Sequence, residues 1–359
     1  MNIFELDTPA IAVDLDIMEA NLQRMARYTK EHGLRLRPHT KTHKSPILAR
    51  QQLALGAVGL TVAKPGEAEV QLAAAPADML LAFPTFGAAK MQRLKQVASK
   101  TQLSVSLDSF AAARQLSDAA IPAKILIEFD AGLGRVGVQP EDLVPLIAAI
   151  KKLPHIDYDG LAFYPGHIKD LGDEGLANIA ALNTLLNATI HTLSKAGHEP
   201  RVVSGGSTPT MYHSHEIFAM DEIRPGTYIF NDRNTINSGA CTLEECAATI
   251  IATVVSTARP GQILIDGGSK TFSSDRLNND TGVSFGMVLG SPEAHFHKMN
   301  EEHGFIDISR CERKFEVGEK IQILMNHVCV VMNLHEQAHG HRKGIVETSW
   351  PIAARGKLQ

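Results

Sequence analysis

Residues 35–44 read RLRPHTKTHK, a run dense in cationic and imidazole side chains. Along an extended strand successive side chains point to opposite faces. Arg37, His39, Lys41 and His43 then share one face, Leu36, Thr40 and Thr42 share the other, and Lys44 faces away from Lys41. A cationic face is costly to bury unless it serves a ligand. Ser45–Pro46 follows, an N-cap and a first-turn proline, so a helix is expected to start there. Lys41 therefore falls near the C-terminal end of its strand, where barrel enzymes place chemistry. Neighbouring cations lower a lysine's pKa, which is what a Schiff-base lysine needs. A basic anion-binding edge or a solvated turn would use the same residues.

Two glycine turns could hold an anion. VVSGGSTPT (202–210) is an apolar strand, two glycines and then hydroxyls, and RPGTYIF (224–230) offers a second turn. Backbone N–H groups in such loops make phosphate cradles, although Gly-Gly-Ser also serves as an ordinary turn. DAGLGRVG (130–137) carries Arg135, and GLAFYPGH (160–167) carries Tyr164 and His167. An arginine in such a loop holds a carboxylate or makes a surface ion pair. Near the C-terminus, ILMNHVCVVMN puts His327 and Cys329 two residues apart. On a strand that spacing points both to one side, a clasp for a borderline cation such as zinc. Two protein ligands leave positions for water or substrate, as a catalytic metal requires. Core packing is the alternative for His327 and Cys329. Cys241 and Cys246 read as structural.

The elements that must position these residues follow from the hydrophobic pattern. Apolar runs at 34–41, 58–63, 78–83, 102–108, 124–130, 158–164, 200–206 and 223–230 alternate with helical segments. Eight such units predict an α/β fold, a parallel (β/α)8 TIM-type barrel over 14–235, with an open doubly wound sheet as the alternative. From 236 to 359 the runs ATIIATVVSTA, QILIDGG, KIQILMNHVCVVMN and GIVETSWPIAARG predict a second, mostly antiparallel β domain carrying the His327–Cys329 pair. Residues 1–13 are extended and are expected to join it.

Composition narrows the classes. The 359 residues are 44% hydrophobic and 21% charged, with formal net charge −4, which excludes the basic stripe of a nucleic-acid binder. No apolar run has the length of a membrane span, and the start has no signal-peptide pattern. Four cysteines make no disulfide framework, so a cytoplasmic protein with reduced thiols is expected.

RPHTKTHK resembles the cofactor-lysine motif of the D-threonine aldolase and D-serine dehydratase family, alanine-racemase-like fold-type III enzymes that use pyridoxal 5'-phosphate (PLP). The remaining motifs occur in the family's order, from LDTPAIAVDLD to SWPIAARG. The resemblance implies that Lys41 carries PLP, with His39 beside it. It implies phosphate contacts from Gly206, Ser207, Thr208, Gly226 and Thr227, with Tyr228 nearby. It places Arg135 at the cofactor's phenolic oxygen, Arg224 at the pyridine nitrogen and Tyr164 against the ring. Aldolases of the group have Tyr-His-Gly where this chain has Tyr-Pro-Gly-His, which leaves the second acid–base residue open between Tyr164 and His167. Dehydratases of the group bind zinc through His-x-Cys at the place of His327 and Cys329, and aldolases more often have His-x-Asp there. The implied activity is a PLP- and divalent-metal-dependent lyase, using zinc or manganese, on D-β-hydroxy-α-amino acids. D-threonine aldolase-like cleavage to glycine and an aldehyde is one outcome. Dehydration of D-serine or D-3-hydroxyaspartate to a keto acid and ammonia is the alternative. An amino-acid racemase would need a second base on the opposite face, and a non-catalytic PLP carrier would lack the second domain. The resemblance also implies a homodimer in which the β domain of one chain approaches the barrel mouth of the other. The partner expected otherwise is a small D-amino acid, with neither nucleic acid nor membrane.

Overall fold

The computed structural model describes residues 1–279 and 282–359. Contacts divide the chain into two compact units, one of residues 23–226 with 357–359, the other of residues 1–22 with 227–356.

In the first unit the eight apolar runs form parallel strands. Counting from β1 (Ala10–Asp14), which belongs to the other unit, they are β2 (Arg35–Leu36), β3 (Leu60–Val62), β4 (Asp78–Leu81), β5 (Gln102–Leu107), β6 (Ala123–Glu128), β7 (Ile156–Ala162), β8 (Val202–Gly205) and β9 (Glu222–Ile223). Their order is β2-β9-β8-β7-β6-β5-β4-β3. A parallel bridge between His39 and Thr61 joins the two ends, with Thr40 N donating to Thr61 O at 2.8 Å. The sheet is thus a TIM-type barrel, and the open-sheet alternative is excluded. The strands are near-continuous apolar runs because helices cover their outer faces. Ile125, Ile127, Val105 and Leu107 are buried.

Several alternate positions on these strands are polar instead. Ser104, Ser106, Glu128, Ser204 and Glu222 are all buried. They are paired, as buried polar groups must be. Ser106 Oγ donates to Glu128 at 2.6 Å and Ser204 Oγ to Glu222 at 2.7 Å.

The second unit is built on β10 (Ala248–Ser256), β11 (Gln262–Ile265), β12 (Leu277–Asn279), β13 (Gly282–Ser284), β14 (Gly286–Val288), β15 (His295–Met299), β16 (Gly304–Asp307), β17 (Lys320–Met325), β18 (Gln337–Arg342) and β19 (Ile345–Pro351). Strands β11-β16-β15-β14-β17-β10 follow one another, and β10 pairs with β11 as well, which closes a six-stranded antiparallel barrel. The nine-residue β10 makes this closure by pairing β17 through Ile250–Thr253 and β11 through Val254 and Ser256, and it also pairs β1 through Ala248–Ile251. β1 is parallel to β18, and β18 pairs with β19.

Three expected strands end early. The 223–230 run is strand only at Ile223 and passes into a short 3-10 helix at Thr227–Ile229. The 34–41 run stops at Leu36, is bridged once at His39 and then turns through residues 40–43. The strand expected through His327 and Cys329 stops at Met325, and a helix, Val328–Leu334, takes over with His327 at its N-cap position. No helix among the described residues is long and apolar enough to cross a membrane.

Candidate functional site

The turn gives Lys41 and Lys44 different surroundings. Lys44 N donates to Thr40 O at 2.8 Å, and Lys44 takes φ +51. Its side chain is buried, 2.5 Å from Glu67 Oε1, while Glu67 Oε2 accepts from Ala63 N at 2.8 Å. Lys44 is therefore held in a structural ion pair. Lys41 is exposed at the apex of the turn. The expected single cationic face does not form, because the backbone bends at Thr40. Arg37 lies inside the barrel, 2.6 Å from Asp78 and 2.9 Å from Glu222. His43 is wholly buried, with Nδ1 accepting from Ser45 N at 3.1 Å and Nε2 3.1 Å from Gln52 Oε1. Burial pushes its pKa down to about 4. Helix Pro46–Ala54 starts at the expected place, but the Ser45 side chain makes no capping bond.

His39 stays with Lys41. Its Nδ1 accepts from Lys41 N at 3.4 Å, so a neutral His39 carries its proton on Nε2. Burial, with the positive charges of Lys41 and Arg224, holds its pKa well below the usual imidazole range. His39 N donates to Pro225 O at 3.0 Å, which sets the second glycine turn against the lysine turn. At Gly226 a Cβ would stand 2.7 Å from Thr42 Oγ1 and 2.9 Å from His39 O, so only glycine fits.

The first glycine turn leaves β8 through Gly206 at φ +83. Ser207 and Thr208 are buried, and Ser207 Oγ lies 3.1 Å from Thr210 Oγ1. Thr210 is a hydroxyl of this loop not singled out from sequence. Arg224 is buried. It donates to Ser204 Oγ at 2.7 Å and to Phe163 O at 3.0 Å. Burial lowers its pKa, against Glu128 and Glu222, which raise it.

The loops after β6 and β7 also meet. Arg135 stacks over Tyr164, its Cζ 4.8 Å from the ring centroid, and Lys41 Nζ lies 6.0 Å from the same centroid. His167 packs on Gly132, where a Cβ would come 3.1 Å from its Cε1. His167 Nδ1 is buried with no hydrogen-bond partner among the described residues. Within the first unit, Lys41, His39, Arg135, Tyr164 and Gly226 thus belong to one connected set.

Thr227, Tyr228, His327 and Cys329 belong to the second unit. Tyr228 is buried, and Thr227 Oγ1 lies 3.6 Å from Cys329 Sγ. His327 and Cys329 hydrogen-bond to each other, and they do so from a helix start rather than a strand. Burial opposes the His327 imidazolium. The Cys329 thiolate, Asp232 and Asp275 outweigh it, and the pKa is pushed up to about 9. No cluster of three or more His, Cys, Asp or Glu able to hold a metal occurs among the described residues. Imidazole plus thiol does fit a site with two protein ligands.

Three consecutive residues absent from the sequence reading grip this helix start. Asp232 Oδ2 accepts from Val328 N at 3.0 Å, Arg233 donates to Asn326 Oδ1 at 2.7 Å, and Asn234 N donates to Asn326 O at 3.1 Å. Asp232 Oδ1 also caps helix Arg233–Asn237 through Thr235 N at 2.9 Å. The available signal was Asp-x-x-Thr, an N-cap pattern.

The alanine racemase N-terminal domain family matches residues 13–234, and a serine dehydratase domain family matches 247–341. The D-threonine aldolase of an Arthrobacter species is 30% identical over 98% of this chain and 93% of its own. The crystal structure of D-threonine aldolase from Filomicrobium marinum superposes with TM-score 0.91 at 31% identity, covering 99% of this chain and 98% of that one. D-threo-3-hydroxyaspartate dehydratase from Delftia sp. HT23 gives TM-score 0.87 at 30% identity, covering 98% of each chain. Solved variants of an enzyme of that name have one histidine or one cysteine, two positions apart, replaced by alanine, and the cysteine variant is in a metal-free form. With both halves matched in order, the chain belongs to the D-threonine aldolase and D-serine dehydratase family, alanine-racemase-like PLP lyases of fold type III.

Proposed function

We propose that this chain is a PLP- and divalent-metal-dependent lyase that cleaves D-β-hydroxy-α-amino acids to glycine and an aldehyde. The observation that carries this reading is the division of labour in the lysine turn: Lys44 is committed to Glu67, and Lys41 stands exposed beside Tyr164. Lys41 is the cofactor lysine. Within the first unit, the glycine-only approach at Gly226 and the hydroxyls of Ser207 and Thr208 beside Gly206 suit a phosphate; Thr227 and Tyr228 are proposed as phosphate contacts from the family resemblance alone. PLP supplies an electron sink for a carbanion at the substrate α-carbon.

The chain's own residues orient the substrate and move protons. Arg135 offers a guanidinium to the cofactor's phenolic oxygen or to the substrate carboxylate. Tyr164 provides the ring surface that Arg135 and Lys41 flank. His167, on the loop that also carries Tyr164, is the residue proposed to take the β-hydroxyl proton. The Cα–Cβ bond then breaks, the aldehyde leaves, and a proton returned to the α-carbon completes glycine. His327 and Cys329 would hold the cation, zinc by preference for thiolate and imidazole, and it would supply Lewis acidity toward a hydroxyl.

One observation favours a second reading, dehydration. The His-x-Cys spacing of 327 and 329 equals that of the histidine and cysteine replaced in the dehydratase variants. There Lys41 takes the α-proton and the β-hydroxyl departs, giving after hydrolysis a keto acid and ammonia. The test is product analysis with D-threonine and D-serine, with and without added zinc or manganese. Glycine plus acetaldehyde from D-threonine supports cleavage. Pyruvate plus ammonia from D-serine, without glycine from D-threonine, supports dehydration. Neither product with metal and PLP present would sink both readings.

A further inference from the structure

Asp275 lies just before β12, within the same unit as His327. Its Oδ2 is buried, has no hydrogen-bond partner among the described residues, and stands 3.3 Å from His327 Nδ1. Although the Asp275 side chain is 42% exposed overall, Oδ2 itself is enclosed beside His327 Nδ1, and an enclosed carboxylate oxygen favours a donor there. The backbone around it is anchored: Asn326, the residue before His327, donates its side-chain amide to Asp275 O at 3.0 Å and to Ser284 O at 2.7 Å. The carboxylate and the imidazole are thus delivered to each other by one side chain.

A metal-ligating histidine commonly donates its other ring N–H to a carboxylate, which fixes the tautomer and the ring plane. Asp275 is itself no ligand in a cluster with His327 and Cys329, since no such group of three occurs among the described residues. We propose that Asp275 is a positioning residue that accepts a hydrogen bond from His327 Nδ1, so that Nε2 is the nitrogen presented, with Cys329 Sγ, to a divalent cation. The inference rests on the metal reading of His327 and Cys329 given above. It adds the ring nitrogen used and the residue that selects it.

The experiment measures metal binding directly, on the full-length protein. Cobalt(II) and zinc are titrated into the wild type and into Asp275→Ala, Asp275→Asn and Cys329→Ala, with folding of each variant checked by circular dichroism. Asp275→Ala spares the backbone contact to Asn326, because that bond uses the Asp275 carbonyl. Expected is one ion per wild-type chain with a cobalt–thiolate absorption that Cys329→Ala abolishes. Asp275→Ala should weaken affinity by about 10–100-fold, the usual effect of losing a carboxylate behind a ligating histidine. It should keep the thiolate band at saturation, because Cys329 is untouched. Asp275→Asn, which retains a neutral acceptor, should recover part of the loss. Equal affinity in wild type and Asp275→Ala would overturn the role of Asp275 while leaving the metal site intact. Loss of the thiolate band at saturation in Asp275→Ala would overturn it too, by making Asp275 a support for Cys329. No metal bound to the wild type would instead overturn the reading on which the proposal rests.

Discussion

At the scale of single residues, the same side-chain type does opposite work three positions apart. Lys44 and Glu67 are both buried and pair at 2.5 Å, so removing one strands the other. Lys44→Ala is expected to destabilise the fold by about 3–5 kcal/mol, the usual cost of breaking a buried pair. Borohydride reduction with PLP present should still label Lys41 in that variant, whereas Lys41→Ala should take no label at that turn. Peptide mapping of the reduced protein checks both, and label on Lys44 in the wild type would overturn the assignment. His43 makes a second residue-scale prediction. Its Nδ1 accepts from Ser45 N, so protonating that nitrogen would set two N–H groups against each other. The folded protein resists protonation until about pH 4, whereas the unfolded chain takes the proton near 6.5. Within that window the unfolded state binds the extra proton, so stability falls as pH falls, by about 3 kcal/mol across it. Urea unfolding at pH 7 and pH 4.5 should show this decline, and His43→Gln should flatten it.

At the scale of elements, the decisive feature is where β17 stops. Met325 ends the strand, Asn326 is tied by its amide to Ser284 O and Asp275 O, and Val328 opens a helix. The Asp232 carboxylate joins two helix starts, accepting from Thr235 N in one and Val328 N in the other. Burial pushes its carboxyl pKa up, so those donors are what keep it useful as an acceptor. Asp232→Ala removes an N-cap, worth about 1 kcal/mol, and leaves the Val328 N–H buried and unpaired, about 1–3 kcal/mol more. Denaturant unfolding should register a loss of about 2–4 kcal/mol. The same variant should make Cys329 react faster with a thiol reagent, because the helix start that holds it loosens. An unchanged midpoint would show that water replaces both bonds without cost.

At the scale of the whole molecule, the barrel was legible because parallel strands under helices are written as apolar runs, and the family because RPHTKTHK and the later motifs stand in the family's order. Each of the eight runs read from the sequence overlaps a strand of the barrel, though 34–41 does so only at Arg35–Leu36 and 223–230 only at Ile223. We propose a two-fold homodimer, the commonest closed assembly, and sedimentation at micromolar concentration should find twice the 38.9 kDa chain mass. A monomer there would refute it. The family resemblance supplied roles, and residue types and spacing marked Lys41, His39, Arg135, Tyr164, His327 and Cys329 as side chains that could fill them. Residue types and spacing also determined the alternation that makes a barrel. Only the tertiary structure decided that Lys44 is bound to Glu67, that Arg37 faces Glu222 inside the barrel, and that His327 and Cys329 meet at a helix start. The reason is that these outcomes depend on partners 23, 185 and about 95 residues away in the chain, Glu67, Glu222 and Asp232. A periodic pattern records which face of a local element is buried, but not which distant group satisfies its charges or where a hydrogen bond from elsewhere ends a strand.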